Sequence, residues 1–169
     1  SFIPCLAAAL AYLMIHQNDP VGVVTFADKI SNHLPPKSKR QQIGNILSLL
    51  ARLRPAGTPD IGRSLVQLPA MHKHASLVMI FSDLLADPEP IITAMRRLRH
   101  GGHDVILFHI LDEAEVAFPF SGLVELEDPE SRERLEVDAD GYRRDYLQEI
   151  EQFRETYRRE CFQSGIDYV

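Results

Sequence analysis

Apolar residues recur along this chain at two spacings. From Ser1 to Gln17, Phe2, Ile3, Leu6, Leu10, Leu13 and Met14 stand three and four apart and place one stripe on a helix. Asn18-Asp19-Pro20 stops that helix. Val21 to Phe26 is an unbroken apolar run of strand length, the pattern of a strand covered on both faces in a parallel sheet. Ile30 to Leu34 predicts a short edge strand ended by Pro35-Pro36. A second helix over Lys39 to Leu53 buries Ile43, Ile46, Leu47, Leu50 and Leu53, and Arg54-Pro55-Ala56-Gly57 breaks it. Thr58 and Asp60 offer N-caps for a third helix carrying Ile61, Leu65 and Leu68, which Pro69 is expected to kink or end.

Ser76 to Phe81 is another continuous apolar strand, closing on Ser82-Asp83. Asp87-Pro88 reads as an N-cap with proline in the first helical position. The helix that follows buries Ile91, Ile92, Met95 and Leu98, crowds Arg96, Arg97, Arg99 and His100 into its last turn, and ends at Gly101-Gly102. His103 to Leu111 is a third buried strand. Helices alternating with strands in this order predict an α/β fold, a mostly parallel sheet with helices on both faces. The pattern then changes. Leu123 to Glu127 and Arg134 to Val137 alternate apolar and charged residues around Asp128-Pro129-Glu130-Ser131, which predicts a hairpin excursion over about residues 121–138 of a single domain. A long helix, Tyr142 to Gln163, buries Leu147, Ile150, Phe153, Tyr157 and Cys161, with Glu155 and Arg159 spaced to pair. Ile166 to Val169 starts one more strand.

Composition narrows the classes of function. Eighteen Lys and Arg against 24 Asp and Glu leave a net charge of −6 over 169 residues, which argues against a nucleic-acid or anionic-membrane binder. The arginines of the fourth helix are accounted for by its macrodipole. No apolar run reaches the roughly 18 residues that span a bilayer, and Phe2 to Ile15 lacks the basic start of a signal peptide. Cys5 and Cys161 fall on apolar helix stripes and read as buried thiols of a reducing, cytoplasmic protein. There is no Gly-x-Ser-x-Gly elbow and no phosphate loop. His72 and His74, like His100 and His103, lack further ligands at useful spacing and read as surface or capping residues, and His109 as a satisfied core residue.

Three ordered stretches carry a resemblance: Asn18 to Phe26, Gly57-Thr58-Pro59-Asp60-Ile61-Gly62, and Leu77-Val78-Met79-Ile80-Phe81-Ser82-Asp83. Together they are similar to a von Willebrand factor A-type domain. The strand ending in Ser82-Asp83, Arg99-His100-Gly101-Gly102-His103-Asp104-Val105, Phe118-Pro119-Phe120 and the Gly-Ile-Asp-Tyr-Val ending more closely resemble its bacterial branch, domain of unknown function 58. The resemblance implies a doubly wound, Rossmann-type sheet with a metal-ion-dependent adhesion site at the carboxyl ends of its strands. By that resemblance, Thr58 and Asp83 are the second and third elements of the site, oxygen donors suited to Mg²⁺. The first element, Asp-x-Ser-x-Ser, has no match here, and neither has the strand that bears it. In the family that strand lies between the strands at Val21–Phe26 and Leu77–Phe81, so its absence leaves a gap of about 10 Å.

The expectations are therefore a non-catalytic protein-interaction module with a partial metal site, which binds Mg²⁺ weakly or not at all. By family association it partners a MoxR-type AAA+ ATPase in protein assembly or maturation. The hairpin near Asp128 to Arg134 is a further candidate recognition surface. Exposed strand edges would recruit a strand from another copy of the chain or close onto each other. A rival class is a metal-dependent hydrolase using Asp83 and Asp87, and a third is an inactive fragment of a longer protein. The plain reading of Asp83, and of Thr58 before Pro59, is a cap at the end of an element.

Overall fold

A computed structural model describes residues 2–26, 29–53, 60–127 and 134–169. The chain forms two compact units, Ser1–Ile110 with Cys161–Val169, and Leu111–Glu160.

The first unit opens with α1 (Phe2–His16), followed by β1 (Val21–Phe26), β2 (Ile30–Lys37), α2 (Gln41–Leu50) and α3 (Ile61–Met71). It continues with β3 (Leu77–Ser82), α4 (Pro88–His100) and β4 (Asp104–His109), and ends with β7 (Asp167–Tyr168). Its strands form two sheets, β1–β2 and β3–β4–β7. β4 pairs in parallel with both of its neighbours, Leu77 opposite Asp104 and Ile106 opposite Asp167 at the amino ends of the ladders. The fold is thus mixed α/β around a parallel three-stranded sheet.

The apolar run of β1 suggests a strand buried in a parallel sheet. Instead β1 pairs antiparallel with β2, and all six of its residues are half-buried. β2 runs through Pro35-Pro36, where the sequence predicts its end. Proline is tolerated there because β2 is the second strand of a two-stranded sheet, with one edge that has no ladder partner among the described residues. The approach is close: a Cβ on Gly22 would meet the Leu34 carbonyl oxygen at 2.7 Å and the Pro36 nitrogen at 2.9 Å. β1 and β3 do not pair with each other, although α1 packs against both.

Ala11 and Ile15 of α1 and Ile46 and Leu50 of α2 form a buried cluster over β1. The helical spacing finds Ile46 and Leu50 but overstates the stripe, since Leu47 and Leu53 are exposed. It also misses Gln42, which is 2 % exposed. The Gln42 side-chain amide donates to the Val21 carbonyl at 2.9 Å and the Pro35 carbonyl at 3.0 Å, tying α2 to both strands of the pair.

α4 is built as its sequence requires. Asp87 caps it by accepting from the Glu89 amide at 3.1 Å, Pro88 occupies the first position, and Arg97, Arg99 and His100 fill the last turn. Ile91, Ile92, Met95 and Leu98 are buried, as the periodicity predicts. Asp60 caps α3 through the Arg63 amide at 2.9 Å, and α3 continues past Pro69 to Met71. His103 is not a surface residue: it is 4 % exposed and its Nδ1 lies 3.0 Å from the Ser76 hydroxyl. Cys5 departs from expectation the other way, lying exposed on α1, while Cys161 is buried.

The second unit holds α5 (Glu113–Ala117), β5 (Leu123–Glu127), β6 (Arg134–Asp138) and most of α6 (Ala139–Gln163). β5 and β6 form the antiparallel hairpin that alternation predicts, and its tip lies outside the described residues. The sequence reading overlooks α5. Its signal is the capping box Asp112-x-x-Glu115, in which the Asp112 side chain accepts from Ala114 at 2.8 Å and Glu115 accepts from the Asp112 amide at 2.8 Å. On α6, Glu155 pairs with Arg158 rather than Arg159, and Arg159 turns to Glu160. Phe118 packs against Phe120 and Tyr146, with ring centroids 5.3 and 4.7 Å apart. Burial, and then the charge of Glu115, raise the Tyr146 phenol above its ordinary value of 10.0.

Two outcomes follow. Gln42→Ala removes the donor shared by two strand carbonyls and is expected to cost about 1–3 kcal/mol in urea unfolding, against under about 0.5 kcal/mol for exposed Gln41→Ala. In an ultraviolet titration the Tyr146 phenol, read as the difference from Tyr146→Phe, should ionise above its ordinary value of 10.0, and Glu115→Gln should bring it part of the way back. Because the folded state holds the neutral phenol, this group's contribution to stability is lost as pH rises from 10.0 through the raised value.

Candidate strand-end site

Parallel strands deliver their carboxyl ends to the same rim, and that rim is where open α/β sheets bind ligands. In the first unit the rim is formed by Ser82-Asp83 after β3, His109-Ile110 at the end of β4, and Tyr168-Val169 at the end of β7. The ladder continues past the formal strand ends. The Ile110 amide donates to the Ser82 carbonyl at 2.9 Å, and the His109 amide to the Val169 carbonyl at 2.9 Å.

Asp83 stands where the sequence places it, half-buried at this rim. Its Oδ1 accepts from the Leu85 amide at 3.3 Å, and the Ser82 hydroxyl lies 3.5 Å away. The chain then turns sharply through Leu84, which is fully buried and left-handed at φ 57°. For a residue with a Cβ this conformation is unfavourable and persists only where surrounding groups impose it. Those groups are identifiable. The Leu84 amide donates to the Ser82 hydroxyl at 3.0 Å. On the same peptide, the Asp83 carbonyl lies 3.1 Å from His109 Nε2. His109 Nδ1 in turn lies 2.6 Å from the Tyr168 hydroxyl. A carbonyl only accepts, so Nε2 carries a proton, and in the neutral ring Nδ1 accepts from Tyr168.

Thr58, the other predicted donor, lies outside the described residues. Asp87 is exposed and its carboxylate serves as the cap of α4. Among the described residues no three His, Cys, Asp or Glu side chains converge. Asp83 has the hard oxygen chemistry that Mg²⁺ takes, but a six-oxygen shell needs donors that the described residues do not supply. They do not by themselves fit a metal centre.

Sequence reasoning finds Asp83 and misses its supports. His109 reads as a core residue and is half-buried at the rim with both ring nitrogens engaged. Tyr168 and the left-handed Leu84 carry no local signal, since no glycine marks the turn. The arginines of α4 are dispersed: Arg96 donates to Ser164 at 2.9 Å, and Arg99 to the His103 carbonyl at 2.9 Å and to Asp104 at 2.6 Å. Arg97 lines an open depression of about 550 Å³ between α3 and α4, away from Asp83. No described helix is long and apolar enough to cross a membrane.

No curated protein and no solved structure matches this chain. A family model described as "Protein of unknown function DUF58" matches residues 2–156, nearly the whole chain, and the chain belongs to that family.

Proposed function

We propose that this chain is a non-catalytic protein-interaction module of the doubly wound von Willebrand factor A type, acting in the cytoplasm. Its partner surface is the carboxyl rim of β3, β4 and β7, and Asp83 is the carboxylate pole of a partial metal-ion-dependent adhesion site. The observation that carries the reading is the Asp83 turn. A half-buried carboxylate stands at the end of a parallel strand, beside a buried left-handed leucine and a peptide fastened by two side chains. Residues held in such conformations cluster at active sites, ligand clamps and switch regions. By the family resemblance Thr58 would be the second oxygen donor and a partner carboxylate a further one, and a bound Mg²⁺ would supply the charge that links the two proteins. The partner class is a MoxR-type AAA+ ATPase, carried over from the family resemblance. The exposed thiol of Cys5 suits a reducing compartment.

Two outcomes test this. The 169-residue chain is expected to bind Mg²⁺ no more tightly than about 1 mM, with amide shifts in an NMR titration centred on Leu84 and Leu85 and lost in Asp83→Ala. A tight stoichiometric site in titration calorimetry contradicts a partial site. A purified MoxR-type ATPase should bind in the presence of Mg²⁺ and lose at least about tenfold in affinity, about 1.4 kcal/mol, with Asp83→Ala. Phosphatase or esterase turnover that disappears with Asp83→Ala would replace this reading with an enzymatic one.

A further inference from the structure

We infer that His109 is a positioning residue: it and Tyr168 form a strap that sets the direction of the Asp83 carboxylate. The inference deepens the proposed function and rests on it for the importance of Asp83, but the strap itself stands on geometry.

The peptide joining Asp83 to Leu84 is fastened at both ends. Its N–H donates to the Ser82 hydroxyl at 3.0 Å, and its carbonyl accepts from His109 Nε2 at 3.1 Å. Fixing a peptide plane fixes the dihedral on either side of it. One of these is the left-handed φ of Leu84, and the other is the ψ of Asp83, on whose Cα the carboxylate is carried. Without a donor at the His109 position the carbonyl loses its partner and the plane is free to rotate, which relieves Leu84 and swings Asp83. The imidazole is itself aimed by the 2.6 Å contact between Nδ1 and the Tyr168 hydroxyl, with the two rings tilted at 66°. Tyr168 lies on β7, which reaches the rim by pairing with β4. Docking of the last strand thereby reaches the Asp83 turn through two side chains. A leucine at position 109 would fill the same space but could donate nothing.

The test is amide hydrogen exchange on the full ¹⁵N-labelled chain, with His109→Leu, His109→Gln and Tyr168→Phe. Leu84 and Leu85 report the turn, because their amides donate to Ser82 and Asp83. His109→Leu should speed their exchange at least about tenfold, with Ile106 and Leu107 in the middle of β4 unchanged. His109→Gln, whose side-chain amide keeps a donor, should stay within about threefold of the parent, and Tyr168→Phe should fall between them. Equal exchange in the Leu and Gln variants, or no change in either the Leu variant or Tyr168→Phe, overturns the strap. If His109→Leu does not fold, Tyr168→Phe against His109→Gln decides in its place: faster turn exchange in the former alone supports the strap. In the same samples, the Mg²⁺ response of the two amides should weaken at least about tenfold in His109→Leu and persist in His109→Gln. If Mg²⁺ moves neither amide in the parent chain, the metal reading of Asp83 fails, while the exchange comparison still decides the strap.

Discussion

Residues Leu77 to Ser82 pair in parallel with Asp104 to His109, and parallel pairing cannot be closed by a tight turn. The chain must leave the rim, cross back over the sheet and return at the far end. Helix α4 makes that crossing, with an aspartate cap, a proline entry and a basic last turn that each suit their end of the helix. The consequence is geometric. Both strands finish on the same side, so Ser82 and His109 become ladder neighbours and the histidine comes within reach of the next carbonyl along. β7 adds Tyr168 in the same direction. Three segments far apart in sequence thus converge on one turn.

The elements that persist over several turns or strand residues were legible. α1, α4, β3, β4 and the β5–β6 hairpin follow from spacing, and Asp60 and Asp87 from cap chemistry. Legibility failed where tertiary contacts decide. An apolar run reports burial but not the direction of pairing, so β1 reads as a parallel strand and is antiparallel. Proline ends a central strand but not an edge, so β2 extends to Lys37. Cys5 and Gln42 reverse the usual burial of their residue types: one faces solvent, and the other sits where two carbonyls need a donor.

The candidate site divides in the same way. Asp83 was singled out through the family resemblance, since on its own a carboxylate at the end of an apolar strand reads as a cap. Its supports were not, because Ser82, His109 and Tyr168 meet only after the sheet has formed, and the strained Leu84 looks like any other leucine. The absence of a pairing between β1 and β3 has a related meaning. Among the described residues each has a ladder on one edge only, yet β1 is half-buried, β3 buries Ile80 and Ser82, and both touch α1. Edges of this kind are uncommon unless something covers them. Membership of a family of unknown function gives the chain its relatives without giving them a chemistry.

The most direct measurement is an anomalous diffraction experiment on crystals of this chain soaked in a high concentration of Mn²⁺, a heavier ion that takes the same hard oxygen ligands as Mg²⁺. The account predicts an anomalous peak at the Asp83 carboxylate on the carboxyl rim, with His109 Nε2 still bonded to the Asp83 carbonyl. Peaks confined to other acidic residues, or a carboxylate turned away from the rim with the His109 bond broken, would contradict it.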